Sequence, residues 1–481
     1  MSRMRALAGN MAAVVTGKAA TAVVGLLTVV ALTRHLGPTE YGYYRTVLTY
    51  SAFAAVLADS GLYMVTLRAM SQPGVDASRV LGNALPLRVV STGIVLLAAA
   101  AVAWLTPYSA PVKWGTLIGA GIYTCLQASD LLMAPFQSVL KQARNAVAEV
   151  TGAAVTLAGV SALALSHVGA LPMLGAALLG AAVAVAVSIR LVRRLVPFRM
   201  SFDLALWRQY LIAGLPLAGS QILGMAMLRG DSLLLSLLQP AAAVGLYGVP
   251  SKLFEITTSI PYILAGLMMP ALTASAAQDR EEFSRQLGRT LDATAIYGVG
   301  IVIAFAPFAA QLLTLISGER FAAGAPALVV ISFAIALAGL THVLRFTLVA
   351  CGKPRLVLIG DAVACVCAFA AYFALIPRFS LLGAAAGTVI AEAAALVAMS
   401  VALRRAGRRL PSLANPAKAV IAGALAALAM KSLAGAGTPW LLALAAGGVL
   451  YLALVALMRA IPRELLAVVF GSARKRGVGH G

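Results

Sequence analysis

Fourteen apolar runs, most of them near the ~20 residues that carry an α-helix across a hydrocarbon core, occupy nearly all of this 481-residue chain. They cover approximately 6–32, 44–66, 82–105, 114–136, 146–166, 170–191, 210–229, 243–270, 289–315, 324–349, 355–376, 382–403, 415–433 and 438–459. Charged residues make up 11% of the chain, against roughly 25% in soluble domains, so the solvent for most side chains is lipid. Strand-length alternation between turns is absent, which argues against a β-barrel. The expected fold is therefore an all-α integral membrane protein. The first run is too long for a signal-peptide core and lacks a small-residue cleavage site, so it reads as a retained span.

The formal net charge of +21 would suggest nucleic acid in a soluble protein. Here most of the charge sits in short loops between apolar runs, and no nucleic-acid partner is expected. With a cytoplasmic N-terminus, 27 of the 37 Lys and Arg fall on the cytoplasmic side, among them Arg68, Arg79 and Arg88. Seven fall on the other side, and Lys18, Lys252 and Arg345 lie within spans. Such an excess of inside positives predicts fourteen spans with both termini cytoplasmic. The loops near 192–209 and 271–288 are the longest, and their mixed charge predicts short interfacial helices there. Four scattered histidines and the cysteines Cys125, Cys351, Cys365 and Cys367, all in or beside apolar stretches, offer no metal-ligand spacing. Neither a metal nor a resident cofactor is expected.

An internal repeat is visible. Leu36-Gly-Pro-Thr-Glu-Tyr-Gly-Tyr-Tyr-Arg45 is echoed by Gln239-Pro-Ala-Ala-Ala-Val-Gly-Leu-Tyr-Gly248. The offset of 203 residues aligns Gly42 with Gly245, Tyr44 with Tyr247, and Asp76 with Asp279. Two parallel six-span repeats are a recurrent transporter plan, with substrate held between the halves. The expected organisation is a six-helix lobe over 1–208, a second over 209–410, and two further spans with a basic tail over 411–481.

The Leu36–Tyr44 run resembles the signature of polysaccharide exporters and O-antigen flippases. That family belongs to the superfamily it shares with multidrug-and-toxin extruders and lipid II flippases. The same likeness is carried by Gly214-Leu-Pro216, Arg229-Gly-Asp231, Gly245-Leu-Tyr247, Ser317-Gly-Glu-Arg-Phe321, Gly352-Lys-Pro354 and Ile376-Pro-Arg-Phe-Ser-Leu-Leu-Gly-Ala-Ala-Ala-Gly-Thr388. The resemblance implies a V-shaped pair of lobes around a central cavity in a bacterial inner membrane. It implies alternating access that moves an undecaprenyl-pyrophosphate-linked oligosaccharide from the cytoplasmic to the periplasmic leaflet, coupled to H⁺ or Na⁺. A glycan polymerase and other proteins of the assembly pathway are the implied partners, besides membrane lipids.

A charge at the bilayer centre costs about 2.5–3.5 kcal/mol on insertion scales, so each one calls for a partner, a wet cavity or a function. Lys18, Arg45, Arg229, Lys252 and Arg345 are candidates to line a cationic cavity for a pyrophosphate, Arg through bidentate contacts and Lys as a point charge. The plainer reading makes them ion pairs or helix-end anchors; Lys252 and Glu255 have the i,i+3 spacing of such a pair. Lipid II flippases hold a cation with carboxylates on spans seven and eleven and a threonine on span twelve. The resemblance implies that role for Asp231, Asp361 and Thr388, with Glu392 one turn beyond Thr388. The plainer reading has Asp231 neutralise Arg229. Asp59, Asp130 and Glu149 fall near expected span ends and read as caps or headgroup-level pairs, and Asp292 as a local pair with Arg289.

Three other functions are weighed, the first being a lipid II flippase of the same superfamily, which the resemblance leaves open. A cation-coupled drug extruder needs cavity acids for cationic drugs, whereas Lys18 and Arg45 place a positive surplus on the first two spans. A glycan polymerase needs a large external loop, and no loop here is long enough.

Overall fold

The computed structural model describes residues 2–459 apart from 60, 73, 139–142, 167 and 413, and the side chains of 16–459 apart from those positions and 138, 143, 145, 215–220 and 277. Lys141, the Pro216 side chain, and the tail bearing Arg463, Arg474, Lys475 and Arg476 lie outside the described residues.

The described residues form sixteen α-helices and no strand. In lipid the backbone must satisfy itself, and a helix does so within one segment. The first five helices are α1 Ser2–Asp59, α2 Leu62–Met70, α3 Ala77–Leu105, α4 Ala110–Leu131 and α5 Ala134–Ser138. The next five are α6 Ala143–Leu163, α7 Ala170–Arg193, α8 Leu204–Leu238, α9 Ala241–Gln278 and α10 Arg280–Phe305. The last six are α11 Ala309–Ser317, α12 Ala325–Ala350, α13 Pro354–Phe379, α14 Leu381–Arg405, α15 Ala414–Gly435 and α16 Trp440–Leu457.

Among the described residues, thirteen helical stretches are long and apolar enough to cross a membrane. The first, Thr16–Asp59, has 44 residues and is broken at Gly37 (φ 72°, ψ 177°), a conformation only glycine adopts cheaply. It therefore holds the first expected span and most of the second. The interfacial helices expected near 203–210 and 278–288 do not stand alone: they are the opening turns of α8 and α10. Asp203 and Asp279 make those continuous starts possible by N-capping. Asp203 Oδ1 accepts from the amides of Ala205 and Leu206, both at 3.1 Å, and Asp279 Oδ1 from those of Glu281 and Glu282 at 2.9 and 3.0 Å. The expected ninth span breaks between α10 and α11, at Pro307.

By contacts the chain divides into two compact units, one comprising Met1–Gly248 with Ile316–Phe321 and the other Val249–Leu315 with Ala322–Gly481. In the first unit α1 packs on α4, α6 and α8, and a core gathers Leu81, Leu85, Leu131, Phe136 and Val192. In the second, α12, α13 and α14 pack together. Around them Leu287, Leu344, Leu348, Met399 and Leu403 form one core, and α10, α15 and α16 form another.

The two copies of the repeated loop meet inside the first unit. A methyl added to Gly42 would sit 2.6 Å from the Ala241 carbonyl carbon, and one added to Gly245 would sit 2.8 Å from that of Pro38. Pro38 and Ala241 are themselves 203 residues apart, as are Gly42 and Gly245. Each loop thus presents its glycine to the equivalent backbone of the other, the self-complementary pattern of a two-fold contact. Asp76 and Asp279 are equivalent as well: Asp76 caps α3, accepting from the Ser78 amide at 2.9 Å, as Asp279 caps α10.

The other signature residues have structural tasks nearby. Glu40 Oε2 accepts the Ala170 amide at 2.7 Å, closing the N-terminus of α7. Tyr41 is buried beside Tyr44 and Phe321, at ring-centroid distances of 6.3 and 5.9 Å.

Candidate functional site

The most elaborate polar network within a unit is centred on Arg88. It lies eleven residues into α3, about 16 Å along the axis, and only 1% of it is exposed. Its Nη1 donates to the Asp59 carbonyl at 3.0 Å and forms an ion pair with Asp59 Oδ1. Its Nη2 donates to Gln127 Oε1 at 2.7 Å, and its Nε makes a long contact of 3.4 Å with the Gln127 carbonyl. Gln127 Nε2 in turn donates to the Ala55 carbonyl at 2.8 Å. The other Asp59 oxygen accepts from Gln221 Nε2 at 2.6 Å, tying α1 to α8. A buried guanidinium is tolerable only with its donors occupied, and here four acceptors on two helices occupy them.

This network lines an open cavity of about 530 Å³, together with Tyr63, Met64, Asp130 and Met133. The Tyr63 hydroxyl donates to Gln137 Oε1. Sequence reasoning misplaced these groups. Arg88 is no loop cation, and the inside-positive count loses one member. Asp59 is paired, one of the two readings offered for it, but its partner is a buried arginine rather than a headgroup-level group, and Asp130 opens onto the cavity. The depth of Arg88 within its apolar run was the available signal, and charge counting overrode it.

The residues singled out from sequence fall in both units. In the first, Lys18 is exposed on α1 and Arg45 is buried, its Cγ 3.1 Å from where a Cβ on Gly248 would lie. Arg229 and Asp231 sit two residues apart on a continuous α8, and the Arg229 charge acts on Asp231. Asp231 is buried and accepts the Tyr247 hydroxyl at 2.6 Å and the Ser232 amide at 2.5 Å. The Arg229-Gly-Asp231 and Gly245-Leu-Tyr247 motifs are thereby joined.

In the second unit Arg345 on α12 pairs with Asp361 Oδ1 on α13 at 2.7 Å and lies 3.2 Å from His342 Nδ1. Glu392 on α14 is hydrogen-bonded by Thr341 and feels the charges of both Arg345 and Asp361. Arg345, Asp361 and Glu392 thus form one electrostatic group on three helices. Thr388 is turned to its own helix and to α13: its hydroxyl lies 3.0 Å from the Ala384 carbonyl and 3.3 Å from the Tyr372 hydroxyl. Lys252 pairs with Glu255 at 3.2 Å, as their spacing predicts. Asp292 is held by Asn415 Nδ2 at 2.8 Å, where the sequence suggested Arg289. Among the described residues no group of three or more His, Cys, Asp or Glu is arranged to hold a metal ion.

The sequence profile of the polysaccharide biosynthesis protein family matches residues 7–274, more than half of the chain. No curated protein matches in sequence. Among solved structures, the lipid II flippase MurJ in an inward closed conformation superposes with a TM-score of 0.74 at 12% identity, over 94% of this chain and 100% of that one. An inward-facing multidrug resistance MATE family transporter of the MOP superfamily gives 0.63 at 15% identity, over 80% and 94%. The MATE multidrug transporter DinF-BH gives 0.57 at 18%, over 83% and 95%. The chain has their all-α membrane transporter fold.

Proposed function

The chain belongs to the polysaccharide biosynthesis protein family, and from that membership we propose that it flips a polyprenyl-pyrophosphate-linked oligosaccharide across the bacterial inner membrane. The observation that carries the reading is the family match, which spans both copies of the repeated loop and lies on a flippase fold. The proposed direction is cytoplasmic to periplasmic leaflet, with both termini in the cytoplasm, in keeping with the excess of inside positives.

The pyrophosphate is anionic, and Lys18, Arg45, Arg229, Lys252 and Arg345 supply cations at membrane depth. Coupling to H⁺ or Na⁺ is assigned to the acids, foremost Asp361 and Glu392. These two carboxylates share one cation, Arg345, so neutralising either shifts the hold on the other. Asp231, bound to Tyr247, and Thr388 complete the proposed coupling set. The cargo would pass to a glycan polymerase and its assembly partners.

A deletion strain tests the reading. An oligosaccharide-pyrophosphate-polyprenol should accumulate on the cytoplasmic leaflet while the matching surface polymer disappears, and complementation should reverse both. Lys18→Ala and Arg345→Ala should insert normally and fail to restore the polymer. Unchanged lipid pools and surface glycan in the deletion strain would sink the proposal.

A further inference from the structure

The cavity around Asp59 and Asp130 differs chemically from the cationic positions assigned to the pyrophosphate. Its wall carries two carboxylates against one guanidinium, an excess of negative charge that repels phosphate. Its nitrogens are already engaged: Arg88 with Asp59 and Gln127, Gln127 with Ala55, and Gln221 with Asp59. The Tyr63 hydroxyl hydrogen goes to Gln137. What remains open is mostly acceptor capacity. The Asp130 carboxylate has no hydrogen-bond or ion-pair partner among the described residues, although Arg88, Asp59, Glu149 and Lys18 all act on it electrostatically. Gln221 Oε1 and the spare lone pairs of Asp59 and Tyr63 are open too. A ligand that fits must donate several hydrogen bonds.

Volume separates a ligand that donates through hydroxyls from a bare cation, which binds the same lone pairs without donating a hydrogen. A bare cation needs a close cage of oxygens, and no metal-holding group of acids exists among the described residues. At about 530 Å³ the space falls in the range of small-molecule sites, roughly 300–1,000 Å³. Met64, Met133 and the Tyr63 ring give it apolar surface against which the C–H faces of a pyranose can lie, and methionine adapts to irregular shapes. Asp59 is held rigid by Arg88 on one oxygen and Gln221 on the other, the support a specific site requires.

We propose that this cavity is a saccharide subsite, in which hydroxyls of one or two sugar residues donate to Asp130, Asp59 and Gln221 Oε1. The inference rests on the flippase reading and adds to it a place that recognises sugar apart from pyrophosphate. Asp130 and Gln221 bind the sugar; Arg88 is a positioning residue that aims Asp59.

The test uses the full chain in lipid nanodiscs and three radiolabelled probes: undecaprenyl pyrophosphate, glucosyl-pyrophosphoryl-undecaprenol and N-acetylglucosaminyl-pyrophosphoryl-undecaprenol. The wild type should bind a sugar-bearing lipid at least about tenfold more tightly than the sugarless one, the scale of a hydrogen bond or two to a carboxylate. Asp130→Ala and Gln221→Leu should bring that ratio to within about twofold of unity, and Gln221→Leu, which removes no charge, should leave the sugarless affinity unchanged. The Asp130 carboxylate has no partner among the described residues to lose, and size-exclusion profiles verify both folds. Equal wild-type binding of all three lipids, or an equal loss for all three in Asp130→Ala, overturns the subsite and leaves the flippase reading standing. Binding of none of them overturns both. A preference that appears only with Na⁺ present also overturns the subsite and marks the cavity as an ion site.

Discussion

Replacing Gly42 by alanine puts a methyl group into backbone. The new carbon would lie 2.6 Å from the Ala241 carbonyl carbon and 3.2 Å from its Cα, whereas unbonded carbons settle at about 3.5–4.0 Å. The Ala241 carbonyl oxygen lies closer still, so the two loops must part by more than about 1 Å. Backbone cannot swing aside as a flexible side-chain tip can, so the overpacking penalty should fall at the upper end of about 1–3 kcal/mol. Against this, alanine in place of glycine favours a helix by about 1 kcal/mol. The net expectation for Gly42→Ala is a loss of about 2 kcal/mol. At Gly93, in α3, nothing lies within 4 Å of an added Cβ, so the same chemical change should stabilise by up to about 1 kcal/mol.

Gly245→Ala should match Gly42→Ala, since its methyl meets Pro38 and the Gly42 amide. Both clashes are relieved by one displacement, so the double variant should cost clearly less than the two singles added together. Reversible unfolding of the reconstituted protein in rising SDS, followed by Trp fluorescence, reads all four variants. If Gly42→Ala proves as stable as Gly93→Ala, the close approach of the two loops is wrong. Strict additivity at 42 and 245 would show that they do not share one contact.

Arg88→Met or Asp59→Leu alone strands a buried charge and should cost about 3–5 kcal/mol, while the double variant should fall well short of their sum; the same unfolding assay measures the cycle. Tyr247→Phe removes the donor to buried Asp231 and should cost about 1.5–3 kcal/mol, with Tyr43→Phe as a comparison. The Asp279 carboxyl is held below its usual range by the amides of Glu282 and Glu281, and that of Asp203 chiefly by the Leu206 amide. Their folded pKa values are depressed, so their capping contribution is present above the ordinary carboxylate pKa, about 4. It is lost as pH falls through the lower folded values. Asp279→Asn keeps a capping oxygen, and its melting temperature should fall less steeply than the wild type's between pH 5 and 3, to about the range where Asp titrates.

The apolar runs made the helices legible because lipid leaves the backbone little choice. Asp76 and Asp279 could be aligned from sequence, and both prove to be caps of equivalent helices. The meaning of Gly42 and Gly245 was not legible, since it lies in a contact across 203 residues that neither loop contains alone. Arg88 misled for a different reason. An arginine a few residues inside a span boundary counts as a loop charge in any tally by position, and only its partners on α1 and α4 show that it is buried. The opening turns of α8 and α10 looked like surface helices because their charges match that pattern; what joins them to the spans is unbroken backbone hydrogen bonding. Pairs within one helix, such as Lys252 with Glu255, were readable because spacing alone decides them.

The signature loop is largely committed to architecture, and this bears on where specificity resides. Gly37 turns the chain, Glu40 closes α7, Tyr41 fills the space beside Phe321, and Gly42 lets the second loop approach. None of these tasks depends on which sugar is carried, so a match over these positions identifies the frame and leaves the sugar open. Side chains that discriminate among cargos must be ones the frame does not already use. Asp361 is fixed by Arg345, and Asp231 by Tyr247; changing either disturbs packing and charge balance before it changes recognition. Asp130 faces open space with no structural partner among the described residues. It can be exchanged without loss of a hydrogen bond or ion pair among the described residues, which is the freedom a residue needs if one frame is to serve many sugars.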